Sequence, residues 1–384
     1  MEIFIEKLSQ LNHRLSGTVN DSIGAKTVQD IFNSFGFETQ SESFRTTGTL
    51  AYRFALNIFL LLTIYFFLKD FYLLSISLYL FVALSFWGEL TFSYHLLRLF
   101  MPVHKSSNVE VKINQVNDGK RVVVVAHHDS PRTGILYHIS DWLAPMLSKC
   151  PAPFNRFFFL PFLAMLLLGI SLIIRPVSSL SEINILFSIF SILILGITLI
   201  VFVEMGFSKP STGANDNGSG LLVLLEIARR FSLKKISNIS VNLLATGAEE
   251  MGFFGIKHYV KYHKELDKDD TIFINLECVG GGTLYWAIGE EYLMKLNYAQ
   301  KGIDIINHFE KEGIIPSLPR TPIMAPTDAG PLAQNGFKVL TLIGLKDKTI
   351  PINYHRMSDT FDKLDRPLII KAADIIEGII RNYK

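Results

Sequence analysis

The chain has 384 residues, enough for more than one domain, and its 37 Lys and Arg against 35 Asp and Glu leave a formal net charge of +2. So even a balance argues against nucleic acid or an acidic polymer as partner. With 49% hydrophobic residues, 30 Phe and only 19% charged residues, against about a quarter in ordinary soluble domains, the composition excludes a disordered chain and disfavours a purely soluble one. The two cysteines, Cys150 and Cys278, cannot make a disulfide framework and fit a reducing compartment.

Met1 to Thr47 is polar and helix-like (IEKLSQLNHRL), with no cleavable signal peptide, so the first apolar run reads as an internal anchor. Residues 54–68 and 71–88 follow as two uncharged apolar runs separated by Lys69 and Asp70, a charged turn between two spanning helices. The first run is short by itself and reaches spanning length if Ala51 and Tyr52 enter the interface and Arg53 snorkels to the headgroups. A second pair, residues 157–174 and 183–203, is joined by RPVSSLSE. A helix of 18 residues rises about 27 Å, close to a hydrocarbon core of about 30 Å, so four transmembrane spans in two hairpins are predicted. Hairpins return the chain to the side it left, placing every polar segment on one face. That face carries Arg45, Arg53, Arg98, Lys105, Lys149, Arg156 and Lys209 beside the spans, the opposite turns only Lys69 and Arg175, which places the polar segments in the cytoplasm.

With the hairpins set aside, the polar segments read as one interrupted α/β domain. Its parts are residues 1–48, 105–150 and 207–384, with the hairpins occupying 49–104 and 151–206. Arg121–Ala126, Ile239–Ala245, Thr271–Leu276 and Lys338–Ile343 are short β-branched runs, as is the NVEVKIN segment before them. Helical patterns cover 219–232, 253–266, 293–311 and 366–381. Apolar strands alternating with amphipathic helices predict a mostly parallel central sheet with helices on both faces, whose chemistry belongs at the carboxyl ends of the strands.

The strand ends carry the candidate residues. The first β-branched run leads into His127, His128 and Asp129, and alternation puts His127 and Asp129 on one face with His128 facing away. An imidazole with a nearby carboxylate suits a metal ligand held in one tautomer, although a strand-end His is more often merely hydrogen-bonded. STGANDNGSG presents Asp216 on a tight loop that alone could be an ordinary helix cap. In ATGAEEMGFFG, Glu249 and Glu250 would repel each other without a cation or shared proton, so they read as one ligand plus one base. NLECVGGG delivers Glu277, and NYHRMSDTFDKLD delivers Tyr354 and His355. Two imidazoles with three carboxylates form a set suited to two zinc ions bridged by one carboxylate.

The motifs AHHDS, GANDNGSG, GAEEMGFFG, NLECVGGG and YHRMSDTFDKLD, in this order, resemble the co-catalytic dizinc aminopeptidases, a family including bacterial leucyl aminopeptidases, aminopeptidase Y and glutamate carboxypeptidase. The resemblance implies that His127 and Glu277 bind one zinc, Glu250 and His355 the other, and that Asp216 bridges them. It implies further that Asp129 orients His127, Glu249 is the general base, Tyr354 donates to the oxyanion, and Asp359 supports the same loop. Two departures stand out. Glu277 occupies a position where the family more often has Asp, and a hairpin is inserted between Asp129 and Asp216. Both insertions leave the sheet near the catalytic face, which predicts an active site close to the bilayer.

The expected function is a membrane-bound zinc metallo-exopeptidase, an aminopeptidase on short or hydrophobic peptides, with peptide or amide substrate and the lipid bilayer as partners and no nucleic acid. The alternatives are an amidase on N-acyl or lipid-linked amides, an inactive scaffold of the same fold, and glutaminyl cyclisation with a single zinc.

Overall fold

The computed structural model describes residues 2–116, 119–147, 159–175, 181–291 and 295–383; Lys149, Cys150 and Arg156 lie outside them. In chain order come α1 (Glu2–Ser9), α2 (Val19–Ser34), β1 (Thr39–Thr47), α3 (Thr49–Leu68), α4 (Tyr72–Leu90), β2 (Val103–Asn114), β3 (Arg121–His127) and α5 (Ile135–Leu147). Then follow α6 (Phe159–Ile174), α7 (Ser181–Phe207), α8 (Ser219–Leu233), β4 (Ser240–Thr246), α9 (Phe254–Tyr262), β5 (Thr271–Glu277), β6 (Thr283–Glu291) and β7 (Lys295–Asn297). The chain closes with α10 (Gln300–Lys311), β8 (Arg320–Ile323), α11 (Ala329–Gln334), β9 (Lys338–Leu345) and α12 (Arg366–Asn382).

One sheet of order β1-β2-β4-β3-β5-β9-β6-β7, with β8 beside β6, holds the polar segments together. Its strands alternate faces. Val122, Val124 and Ala126 of β3 pack with α2, α8 and α12, while Val123 and Val125 pack with α9 and α11. Burial on both faces is why the central strands read as continuous β-branched runs.

The expected mostly parallel sheet is corrected to a mixed one. The centre, β4-β3-β5-β9, is parallel, whereas β1, β2, β6 and β7 join it antiparallel. Parallel pairing needs a crossover connection, which helices supply between β3 and β4, between β4 and β5, and before β8, which lies parallel beside β6, whereas β7 follows β6 closely and pairs with it antiparallel. The strands that sequence reading overlooked are polar, as in TQSESFRTT of β1, or lack a β-branched run, as in TLYWAIGEE of β6. The helix expected over 293–311 spans only Gln300–Lys311, because Lys295–Asn297 pairs with β6. The helix expected over 253–266 is confined to Phe254–Tyr262.

Among the described residues, three helices are long and apolar enough to cross a membrane: α3 with 20 residues, α4 with 19 and α7 with 27. The fourth expected span, α6, is an apolar helix of 16 residues among those described, short of a full span by itself. The first run gains its length at its start, at Thr49, and Arg53 lies over the Phe202 ring. Asp70 in the turn after α3 pairs with Arg175 just after α6, so the ends of these two helices meet. Thr198 of α7 donates to Asn57 Oδ1 of α3 at 2.7 Å, a buried polar link between the hairpins.

Candidate metal centre

The parallel strands β3, β4 and β5 end side by side, and the residues that follow them converge. His127 closes β3, Glu249 and Glu250 follow β4, and Glu277 closes β5. Asp216 comes from the loop leading into α8, and His355 from the segment after β9. His127 Nε2 lies 3.3 Å from Asp216 Oδ1 and 3.4 Å from Glu277 Oε1. His355 Nε2 lies 3.2 Å from Asp216 Oδ2 and 3.3 Å from Glu250 Oε1. Two triads, His127–Asp216–Glu277 and Asp216–Glu250–His355, therefore share the two oxygens of one carboxylate.

These spacings suit divalent cations. Ligands placed tetrahedrally about 2.0 to 2.1 Å from zinc stand roughly 3.3 to 3.4 Å apart, the distance found across each pair. Glu277 Oε2 is buried with no hydrogen-bond donor among the described residues, and an acceptor left bare in that way calls for a cation. The donor set of imidazole nitrogen and carboxylate oxygen is one that zinc takes readily.

A supporting shell fixes the cluster. His127 Nδ1 donates to the main-chain carbonyl of Asp129 at 3.1 Å, nearer than the Asp129 carboxylate at 3.5 Å. That carboxylate is engaged elsewhere: Oδ1 and Oδ2 accept from the backbone N–H groups of Glu249 and Glu250, both at 3.1 Å. Asp129 thus holds the ends of β3 and β4 in register as well as fixing the imidazole. His128 turns away, with Nε2 at 2.7 Å from the Ser107 carbonyl. Asp359 accepts the N–H groups of Asn215 at 2.7 Å and Asp216 at 3.1 Å, holding the loop that carries Asp216. Tyr354 lies against His355, and Tyr137 of α5 covers both rings. Ala248, Cys278 and His355, in the turns that aim the cluster, all have positive φ, which is rare for non-glycine residues.

Burial and mutual charge shift the groups strongly. Burial would lower His127 and His355, yet the surrounding carboxylates hold both imidazoles well above their ordinary value. Burial would raise Asp216, but the two imidazoles keep it well below the carboxylate range. Burial and then neighbouring carboxylates push Glu249 well up. Burial followed by the charges of Asp216 and Glu250 raises Tyr354 far above an ordinary phenol.

Sequence reasoning missed Arg14. Its guanidinium, fully buried, donates at 2.7 Å to each of three carbonyls, those of His128, Thr212 and Gly213, tying the segment after β3 to the loop of Asp216. Nothing in LNHRLSG marks it, since its partners are main-chain atoms more than 100 positions away. Asp328 was also missed. It accepts from Thr246 Oγ1 at 2.5 Å, and burial raises its pKa to about 7.

The profile of Peptidase family M28 matches residues 201–380. Aminopeptidase YwaD of Bacillus subtilis is 31% identical over 189 residues, covering 47% of this chain and 40% of that protein, so the match spans about two-fifths of the length of this curated relative. Among solved structures, Porphyromonas gingivalis glutaminyl cyclase superposes with a TM-score of 0.57 at 13% identity, covering 100% of this chain and 96% of that one. A leucine aminopeptidase precursor from Bacteroides thetaiotaomicron gives 0.56 at 13% identity over the same shares. A Zn-dependent exopeptidase from Parabacteroides distasonis gives 0.54 at 13%, covering 99% and 96%. At such identities the likeness is one of fold. The family resemblance read from the five motifs agrees with these matches.

Proposed function

From its relation through residues 201–380 to Peptidase family M28, the dizinc aminopeptidase family that its motifs resemble, we propose that this chain is a membrane-embedded dizinc exopeptidase. The favoured activity is that of an aminopeptidase on short or hydrophobic peptides, with its catalytic face in the cytoplasm. The observation that carries the reading is the pair of ligand triads sharing Asp216. In this reading His127 and Glu277 would hold one zinc, Glu250 and His355 the other, with Asp216 available to both. Bound zinc supplies Lewis acidity that polarises the scissile carbonyl and acidifies water.

The chain's own residues do the rest. Glu249, placed by the grip of Asp129 on its N–H, takes a proton from the attacking water and returns it to the leaving amine. Tyr354, whose phenol stays protonated at neutral pH, donates a hydrogen bond to the developing oxyanion. Asp129 and Arg14 act through others: the first fixes His127 and the turn of Glu249, the second the loop of Asp216.

The test is zinc content and hydrolysis by purified protein on peptides with free and blocked amino termini. Two zinc ions per chain, cleavage of free peptides only, and loss of turnover without loss of zinc in Glu249→Gln are expected. Cleavage of blocked substrates would move the reading to an amidase, absence of zinc to an inactive scaffold, and a single zinc with release of pyroglutamyl product to glutaminyl cyclisation. Asp216→Ala is expected to lose both ions.

A further inference from the structure

The acidic cluster forms one end of a continuous cavity of about 640 Å³ that also extends among the first turns of α3 and α6 and the last turns of α7. Asp216, Glu249, Glu250 and Glu277 line the first end. Leu50, Leu160, Ile197, Val201, Phe202 and Met205 line the second. Leu160 and Ile197 belong to the cavity and are nevertheless 48% and 59% exposed, so among the described residues the apolar end opens on the side of the helices. Ile200, next to the lining on α7 and 71% exposed, points outward with Ile189, Phe190, Leu193 and Val203, forming the apolar surface that a bilayer would cover. Volume and character both suit a small ligand that is polar at one end and apolar at the other.

We propose that the substrate of this site is an amide-linked amphiphile: its scissile carbonyl sits in the acidic cluster, and its hydrocarbon chain lies between α3, α6 and α7, reached from the bilayer. The inference rests on the hydrolytic reading above and names its substrate class. The reaction is unchanged: the amide C–N bond breaks, water gives its oxygen to the carbonyl carbon and a proton to nitrogen, and a carboxylic acid and an amine leave. The cavity has no need of a long peptide; its apolar end accepts methylenes, each of which gains on burial.

Two readouts test this in protein reconstituted into lipid nanodiscs. In the first, Val201→Cys on the cavity wall and Ile200→Cys on the outer face are labelled with a maleimide in the presence of leucine dodecylamide or N-dodecanoyl-leucine. One of these amphiphiles is expected to slow labelling of Val201→Cys at least fivefold while leaving Ile200→Cys untouched. In the second, kcat/KM is followed along leucine alkylamides and N-acyl-leucines from two to twelve carbons. A rise of about twofold or more per methylene is expected in one series, below the roughly fourfold limit that full burial of a CH2 sets. Val201→Trp and Ile197→Trp, checked for folding by zinc content, are expected to lower the twelve-to-two-carbon ratio at least tenfold. Equal labelling at both cysteines, or a chain-length dependence that survives both tryptophans, would overturn the proposal even if peptides are cleaved. Selective protection of Val201→Cys without hydrolysis of any substrate would instead leave the cavity assignment standing and remove the peptidase reading.

Discussion

Asp359 shows how much of the site depends on groups that never reach a cation. Its two oxygens hold the consecutive N–H groups of Asn215 and Asp216, so the carboxylate shared by the two triads is aimed from behind. Asp359→Ala frees both donors, and its zinc affinity is expected to fall roughly 10- to 100-fold, as for other removed outer partners, measured by competition with a chromogenic chelator. The candidate ligands were legible because they cluster at strand ends in short motifs. Arg14 and Asp328 were not, because their meaning lies in contacts that only the fold creates. Glu290 is a third such residue. It accepts from Tyr298 at 3.0 Å and from Thr327, and burial raises its pKa from 4.5 to about 8. The folded chain thus holds a proton that the unfolded chain gives up above the ordinary value. This contribution to stability is fully present below about pH 4.5, falls by up to roughly 1.4 kcal/mol per pH unit as the pH approaches 8, and levels off above. Glu290→Gln does not titrate, so its Tm in detergent is expected to drop less than that of the parent between pH 5 and pH 8.5; equal drops would refute the assignment.

Among the elements, the central strands were readable because burial on both faces demands β-branched runs, while the antiparallel flanks follow a weaker rule that allows polar residues. The joint between the first hairpin and the sheet was misread in a more instructive way. Arg98 counts in the sequence as a cation flanking the bilayer, yet it is only 4% exposed and donates through Nε to Glu89 Oε1 at 2.7 Å and through a second nitrogen to the Thr47 carbonyl at 3.0 Å. It also lies over the Tyr52 and Phe254 rings, linking α3, α4, the end of β1 and α9. Removing one partner of a buried ion pair typically costs about 3 to 5 kcal/mol because the other is stranded. Arg98→Met is therefore expected to lower Tm sharply, and adding Glu89→Gln to recover part of the loss. A double variant less stable than Arg98→Met would show that Glu89 keeps its charge by another route.

At the scale of the molecule, the hydrophobic excess that composition announced belongs to the helices inserted on either side of β2 and β3, and the sheet closes around the insertions as though they were long loops. α3 leaves two residues after β1, and α7 returns four residues before the loop of Asp216, so both insertions depart from the edge of the candidate site. Their position at that edge could be anticipated from the chain; the cavity connecting them to the acidic cluster could not, since its wall draws on segments far apart in sequence. The pairing of Asp70 with Arg175 places the ends of α3 and α6 together at the end remote from the sheet. One bilayer crossing the helices would then leave the sheet on one side and Asp70 and Arg175 on the other. Cations decide which side is which, and with Arg98 committed to Glu89, exposed Arg45, Lys105 and Lys209 still outweigh the turns. In a Cys150→Ser background, Lys69→Cys is expected to react with a membrane-impermeant maleimide added to intact cells, and exposed Lys235→Cys only after the cells are opened. The reverse pattern would put the catalytic face outside, and labelling of both positions in intact cells would remove the spanning helices from the account altogether.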